Sequence, residues 1–445
     1  MSLQPFQDVK GLLQQTPLPP MILLRQRFPR QRVEDVGQEV ARVLGGSNLG
    51  VGAPFIAPKS ARIGIGVGSR GVAEIAGVVR ALVAWLRGQG AEPFIFPAMG
   101  SHGGATPEGQ RSVLESLGVT EDFVGAPIIA SMEVDLLGHL PEGLPVYMDR
   151  VAHGADGIIV VNRIKPHTDY SGEIESGLSK MIAIGMGKHE GAIAIHSWGI
   201  HGLRDLIPEA AKFSVAHAPI LGGLAVVENA YDEVAQITFV PPEGIGNGLE
   251  RDLLRQAKGL MPRLPWDVLD VLVIDQMGKN ISGAGMDTNI IGRLRCEGQK
   301  ETAASITNVT VHDLTEESHG NSIGLGHADF TTTRLVNKID TQSFYINGLT
   351  AGIIAVNAAK LPMVLNTDRE AIAAAIRMAG RPDYTQIQLA RIEHTLRLDY
   401  ILASPNCLEH MRAGSDIEVL GEPQPFQVEA DGSLVSFGQI RMSYA

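Results

Sequence analysis

Short segments of β-branched and other apolar residues recur along the chain, and each is followed by a glycine-broken polar loop and then by a helical pattern. In the first unit a strand at 62–67 precedes the loop Gly68–Gly71 and a helix over Val72–Arg87. In the second unit the strand Glu92–Pro97 precedes a loop that contains His102. Strands joined by crossover helices pair in parallel. The pattern therefore predicts an α/β fold with a parallel, Rossmann-like sheet.

A third strand, at 157–161, ends where the polar residues of the chain are most concentrated. The segment Asn162–His201 contains four of the thirteen histidines, and Lys180 lies in its middle. Open α/β sheets bind their ligands at the carboxyl ends of the strands. Since Arg70 and His102 also follow strands, we expect these groups to converge at one edge of the sheet.

The length of 445 residues exceeds one ordinary hydrophobic core, which favours two domains. Residues 1–60 have many prolines and are predicted to be irregular apart from a helix at Val33–Leu44. The proline-rich stretch 261–266 marks a boundary, and a new core strand begins at Val268. We predict an N-terminal α/β catalytic and cofactor-binding domain at 1–262. A second α/β domain, at 263–445, would close a cleft that contains the site.

Composition excludes several classes of partner. The net charge of −12 leaves no basic surface for nucleic acid or for an anionic membrane. No apolar run reaches the roughly 18–20 residues that span a bilayer, and the first residues lack the pattern of a signal peptide. The two cysteines form no CxxC pair, which favours a cytoplasmic protein without cysteine-ligated metal. The oligomeric state stays open, a homo-oligomer included.

Three residues are candidates for proton transfer or covalent chemistry. His102 lies between glycines that let a ligand approach the backbone, although a surface histidine fits the same pattern. His167 follows Pro166, which restricts the backbone and would help to position an acid or base; a turn histidine is the alternative. Lys180 lies among small and apolar residues. It either extends to solvent or is desolvated and nucleophilic.

Several further residues suit a metal ion or a carboxylate. The guanidinium of Arg70 could bind a substrate carboxylate, and so could Arg293, Arg295 or Lys279 in the second domain; a solvated charge is the alternative for each. His189 and His196 are seven residues apart and could share a helix face, but the chain has no HExxH motif. The spacing of His312, His319 and His327 matches no known metal site.

Together, Gly64–His102 and Lys165–His196 resemble the nickel-dependent lactate racemase family of α-hydroxy-acid racemases and epimerases. The resemblance implies that His102 and His167 are paired acid/base residues and that Arg70 holds the substrate carboxylate. It also implies that Lys180 is covalently joined to a pyridinium-derived nickel-pincer nucleotide and that His196 completes the nickel coordination. Arg295 or Lys279 would replace a lysine that the family has in its second domain.

This family implies inversion at C2 of an α-hydroxy acid by transfer of hydride to and from the cofactor, which cofactor-synthesis enzymes supply. The segment between His167 and Lys180 is longer and more acidic than in lactate enzymes. An acidic residue before Arg70 is also absent, and these differences argue against lactate itself. The more polar loop side chains favour a larger or polyhydroxylated acid. Two other classes stay open, namely a non-catalytic protein that binds an acidic metabolite and a metal-dependent hydrolase that uses His189 and His196.

Overall fold

The computed structural model describes residues 7–46, 59–69, 71–294, 303–351 and 355–444, with backbone only at 7–10, 350 and 351. Contacts between residues divide the chain into two compact units, with the break between Met261 and Pro262. The middle unit is Pro29–Met261, and the terminal unit comprises the described residues before Pro29 and those from Pro262 onward. No helix among the described residues is both long and apolar enough to cross a membrane.

Strands and helices alternate along much of the chain. The strands are β1 (Met21–Arg27), β2 (Arg62–Val67), β3 (Glu92–Pro97), β4 (Val134–His139), β5 (Pro145–Asp149), β6 (Gly157–Arg163), β7 (Ile220–Glu228), β8 (Val234–Val240), β9 (Val268–Met277), β10 (Ser305–Leu314), β11 (Phe330–Thr332), β12 (Met363–Leu365), β13 (Leu389–Ile392), β14 (Tyr400–Ala403) and β15 (Asp416–Gln424).

The α-helices are α1 (Gln7–Gln14), α2 (Val36–Leu44), α3 (Ile75–Gly88), α4 (Pro107–Ser116), α5 (Glu121–Val124), α6 (Arg150–His153), α7 (Leu178–Lys180), α8 (Lys188–His196), α9 (Gly199–His201), α10 (Ile207–His217), α11 (Gly248–Leu260), α12 (Thr288–Ile291), α13 (Thr333–Asn337), α14 (Thr341–Ala351), α15 (Asp368–Arg377) and α16 (Phe437–Ser443). Two π-helical segments occur at Met181–Gly185 and Gly202–Leu206. Short 3₁₀ turns lie at Gly103–Ala105, Pro242–Gly244, Glu316–Ser318, Leu325–His327, Tyr384–Gln386 and Pro405–His410.

The middle unit contains the predicted parallel sheet. Its strand order is β3-β2-β6-β7-β8, in which the first four strands pair in parallel and β8 returns antiparallel to β7. Gly64 at the centre of β2 lies opposite Phe94 of β3 and Ile158 of β6. Strands β4 and β5 form a separate antiparallel hairpin. The α/β class and the parallel order predicted from sequence are confirmed.

Both faces of this sheet are covered, which explains why its strands are continuous apolar runs. Ile159 and Val161 of β6 are fully buried in one core with α2 and α3. Ile158 and Val160 of the same strand are buried in a second core with α10 and α11. A strand with two buried faces needs apolar side chains at every position. The polar residues of the unit therefore collect at the strand ends.

The terminal unit has a mixed sheet with the order β12-β11-β10-β9-β13-β14-β1-β15. β9 pairs in parallel with β10 and β13, whereas β1 pairs antiparallel with β14 and β15. The N-terminal residues therefore pack with the C-terminal half of the chain, rather than in the domain predicted for 1–262. They also form α1 and β1, which were not predicted, because the pairing of β1 involves residues far along the sequence.

We expect the β1 side chains to stabilise the terminal unit. Leu23 is 1% exposed and packs in a core with Val271 and Leu402. Leu23→Ala should lower the free energy of unfolding of this unit by about 2–5 kcal/mol, because it leaves a cavity in the core. The neighbouring Arg25→Ala, which removes a half-exposed side chain, should cost less than about 1 kcal/mol. Equal shifts of the urea midpoint for the two variants would contradict this role of β1.

Candidate functional site

The polar loop after β6 is closed by backbone hydrogen bonds. The N–H of Lys165 donates to the carbonyl of Ser176 at 3.0 Å, and Ser176 donates back to Lys165 at 3.2 Å. The side-chain amide of Asn162, near the end of β6, donates to the carbonyl of Gly177 at 2.8 Å. Helix α7 begins directly afterwards and ends at Lys180. The residues between β6 and Lys180 therefore form a compact loop at the carboxyl edge of the sheet.

Two buried carboxylates hold this loop. Glu175, 2% exposed, accepts the backbone N–H of His167 and the Nζ of Lys258, both at 2.6 Å. Glu250, 1% exposed, accepts the backbone N–H of Ser179 at 2.9 Å and its hydroxyl at 2.5 Å. Burial raises the pKa of Glu250, and the bonds from Ser179 oppose that shift. The residues next to His167 and Lys180 are thus fixed by charge-assisted hydrogen bonds.

His167 and Lys180 contact one another, with 2.5 Å between the imidazole Nε2 and the lysine Nζ. The other ring nitrogen of His167, Nδ1, accepts the backbone N–H of Asp169 at 3.1 Å. A neutral imidazole whose Nδ1 accepts has its proton on Nε2. That N–H points at Nζ, and the lone pair of a neutral amine can accept it. Tyr170, which is fully buried, stacks on the imidazole with 4.4 Å between ring centroids.

His196 lies at the end of α8 and has one ring nitrogen directed away from its own helix. Its Nδ1 donates to the carbonyl of Ala192 at 2.7 Å, which leaves the lone pair on Nε2. Burial lowers the pKa of His196, the Ala192 carbonyl opposes this, and a protonated Lys180 would lower it further. Lys180 is therefore close enough to His196 for its charge to affect the pKa of the imidazole. A neutral imidazole is the form that binds a metal ion.

His102 lies on the loop between β3 and α4, beside the π-helical segment that follows Lys180. The backbone N–H of Gly100 donates to the carbonyl of Gly185 at 3.1 Å, and this bond joins the two segments. The imidazole of His102 is exposed, and its Nδ1 bonds the carbonyl of Met99 at 2.8 Å. The next two residues, Gly103 and Gly104, have φ of 65° and 67°. These two glycines therefore adopt a left-handed backbone conformation that other residues rarely adopt.

Lys188 was not predicted, yet it is fully buried at the start of α8. Its Nζ lies 2.9 Å from Asp149 and donates to the carbonyl of Pro97 at 2.5 Å and to Oε1 of Gln110 at 3.1 Å. Its φ of 54° is unusual for a residue with a side chain. Lys188 follows small and apolar residues in the sequence, as Lys180 does. That pattern was interpreted only for Lys180.

The other predicted residues belong to the terminal unit or lie outside the described residues. Arg70 and Arg295 lie outside the described residues. Lys279 follows β9 in the terminal unit, where its Nζ donates to the carbonyl of Gly283 at 2.6 Å. Arg293 is 5% exposed and bonds Asp329 at 2.5 Å, so it stabilises the interior of that unit.

The histidines considered as metal ligands have other surroundings. His312 is fully buried, with hydrogen-bond distances of 3.1 Å to Asp368 and 2.8 Å to Thr310. His189 is exposed at the start of α8. Among the residues that the structure describes, no group of three or more His, Cys, Asp or Glu could hold a metal ion. A conventional zinc centre with three protein ligands therefore has no support there.

Comparison with known proteins found two similarities, and both are to lactate racemases. The model of the lactate racemase N-terminal domain family matches residues 69–203, a segment that contains His102, His167, Lys180 and His196. The solved structure of the lactate racemase apoprotein from Thermoanaerobacterium thermosaccharolyticum is similar, with a TM-score of 0.52 and 13% identity. That match covers 83% of this chain and 99% of the other. A search of curated proteins found no significant match.

At 13% identity the structural likeness concerns the fold alone, and it agrees with two α/β units that contain parallel strands. The family model is specific for the segment that forms the polar loops of the middle unit. These two findings agree with the resemblance seen in the sequence. Residues 69–203 therefore match the N-terminal domain of the lactate racemase family, and the fold of the chain is similar to that of a lactate racemase.

Proposed function

We propose that the chain is a racemase or epimerase of α-hydroxy acids and that it works with a nickel-pincer nucleotide bound covalently to Lys180. The observation that carries the proposal is the contact between the Nζ of Lys180 and the imidazole Nε2 of His167, 2.5 Å apart, within electrostatic reach of His196. A lysine acts as a nucleophile through the lone pair of its neutral amine. A neutral Nζ is also the form that can accept the N–H of His167.

The side chains present fit the proposed group. Lys180 offers the amine for attachment, and His196 offers Nε2 as a metal ligand because its Nδ1 is bonded to Ala192. The bond at Nδ1 also orients the imidazole, as hydrogen bonds commonly do for ligating histidines. When bound, the pyridinium-derived group supplies an electron-poor carbon that accepts a hydride, and nickel completes it.

The chain's own residues would then move the hydroxyl proton and hold the substrate. Removing a proton from C2 beside a carboxylate would leave a dianion, and loss of hydride avoids that charge. Inversion requires a base on each side of the substrate, and we assign these roles to His102 and His167. We assign binding of the substrate carboxylate to Arg70, and further substrate binding to Lys279 or Arg295. Polar side chains of the segment before Lys180, other than the buried Glu175, favour a larger, hydroxylated acid over lactate.

Lys180 should be unusually reactive in protein made without the cofactor. An amine-directed acylating reagent at pH 7 should modify Lys180 about tenfold or more faster than Lys212, because a neutral amine is the nucleophile. Lys212 is an exposed lysine of the same unit, paired with Glu209 at 2.9 Å. Peptide mass spectrometry after brief labelling measures both rates. Equal rates would contradict a neutral Lys180.

Substitution should separate attachment of the cofactor from proton transfer. After expression with the cofactor-synthesis enzymes, Lys180→Ala should lose both bound nickel and the covalent adduct. His102→Ala should retain both and lose turnover by about 100-fold or more, because it removes only one acid/base group. Nickel analysis, intact mass and exchange of the C2 hydrogen over a panel of hydroxy and sugar acids measure these effects.

His189→Ala is the matched control, since His189 is an exposed histidine on the same helix as His196. It should leave nickel, adduct and turnover unchanged. Full activity of Lys180→Ala would overturn the proposal. A protein that binds hydroxy acids but acquires neither nickel nor adduct would instead be a non-catalytic binding protein.

A further inference from the structure

The backbone around His102 is held by a buried amide that belongs to another element. Gln110, on α4, is fully buried, and its Nε2 donates to the carbonyl of Gly100 at 2.8 Å and to that of His102 at 3.3 Å. One side chain therefore binds the backbone before His102 and at His102 itself. The Nδ1 of the imidazole bonds the carbonyl of Met99 at 2.8 Å, so the ring is also joined to this loop. The position of the ring depends on the loop that these bonds fix.

The orientation of that amide is determined by Lys188. The ammonium donates to Oε1 of Gln110 at 3.1 Å, which directs the NH₂ group of the amide toward the loop carbonyls. Lys188 also donates to the carbonyl of Pro97 at 2.5 Å, and its Nζ lies 2.9 Å from Oδ2 of Asp149 in an ion pair. Asp149 supplies the opposite charge that a buried ammonium requires.

The same ammonium joins three parts of the middle unit. Pro97 ends β3, Gln110 belongs to α4, and Lys188 begins the helix that ends at His196. A shift of Lys188 would therefore move the loop of His102 relative to α8. Reaction rates depend on such placement, since a displacement of about 1 Å can cost about 100-fold in rate.

We propose that Gln110 and Lys188 are positioning residues for His102, with Lys188 acting through the amide of Gln110. The inference rests on the proposed function for the role of His102 as an acid/base group. Its structural part, namely that the two residues determine where the imidazole of His102 lies, is independent of any reaction.

The structural part is tested on protein made without the cofactor, with isotope-labelled histidine and ring-proton NMR. Gln110→Met should shift or split the His102 signal and leave the His196 signal unchanged, because the loop loses its two side-chain bonds. Glu115→Met is the matched control, the same replacement at an exposed site of α4, and it should change neither signal. An unchanged His102 signal in Gln110→Met would overturn the inference. If Gln110→Met does not fold, Gln110→Asn keeps an amide that is too short to reach both carbonyls and should give the same shift.

The role of Lys188 is tested in an Asp149→Asn background, which avoids an unpaired buried carboxylate. In that background Lys188→Met should displace the same His102 signal. Adding Gln110→Met should then produce little further change, because both residues act through the same bonds. Independent, additive displacements would contradict an action through Gln110.

The loaded enzyme gives a readout that general loss of structure would not produce. Each of the two bases starts the reaction from one enantiomer, so single-turnover formation of the 2-keto acid from the enantiomer that uses His102 should fall about 10–100-fold in Gln110→Met. Formation from the opposite enantiomer, nickel content and adduct mass should stay as in the unmodified chain. Equal slowing of both enantiomers would contradict the inference. If the unmodified chain converts no hydroxy acid, the proposed function fails, and the NMR result still decides the structural part.

Discussion

The structure of the candidate site depends on the burial of two carboxylates, Glu175 and Glu250. Each is 2% exposed or less, and a buried carboxylate is costly unless hydrogen-bond donors surround it. Their donors include the backbone N–H of His167 in the loop after β6 and Ser179 of α7, so opening of this segment would take hydrogen bonds from buried carboxylates. That cost keeps His167 and Lys180 in contact at 2.5 Å. The two buried carboxylates therefore stabilise the structure around His167 and Lys180.

The fold could be predicted from sequence where the determining interactions are local. β2, β3 and β6 are buried on two faces, so each contains a short apolar run, and the parallel sheet follows from the helices between them. β1 gave no such signal, because its neighbours β14 and β15 lie almost the whole chain away in sequence. A local sequence pattern could therefore not predict that the first residues belong to the terminal unit.

The same distinction applies to the candidate site. His167 and Lys180 lie on one loop, so their proximity could be expected from their spacing in the sequence. Lys188 and Gln110 are 78 residues apart, and only the folded sheet brings the end of β3, α4 and α8 together. No sequence motif contains both residues, so their hydrogen bond could not be predicted from motifs. The residues that position a reactive group are harder to predict than the group itself, because their partners come from other elements.

Lys180 and Lys188 have similar neighbours in sequence, and their different roles follow from the groups that each contacts. Lys188 lies beside a carboxylate and two neutral oxygens, which together stabilise an ammonium that is fully buried. Lys180 faces an imidazole whose Nδ1 already accepts a bond, so its contact is with an N–H group and favours the amine. A positive charge would repel that N–H, whereas a lone pair attracts it. The tautomer of His167, determined by the backbone N–H of Asp169, thus gives Lys180 a different contact from those of Lys188 in the same segment of the chain.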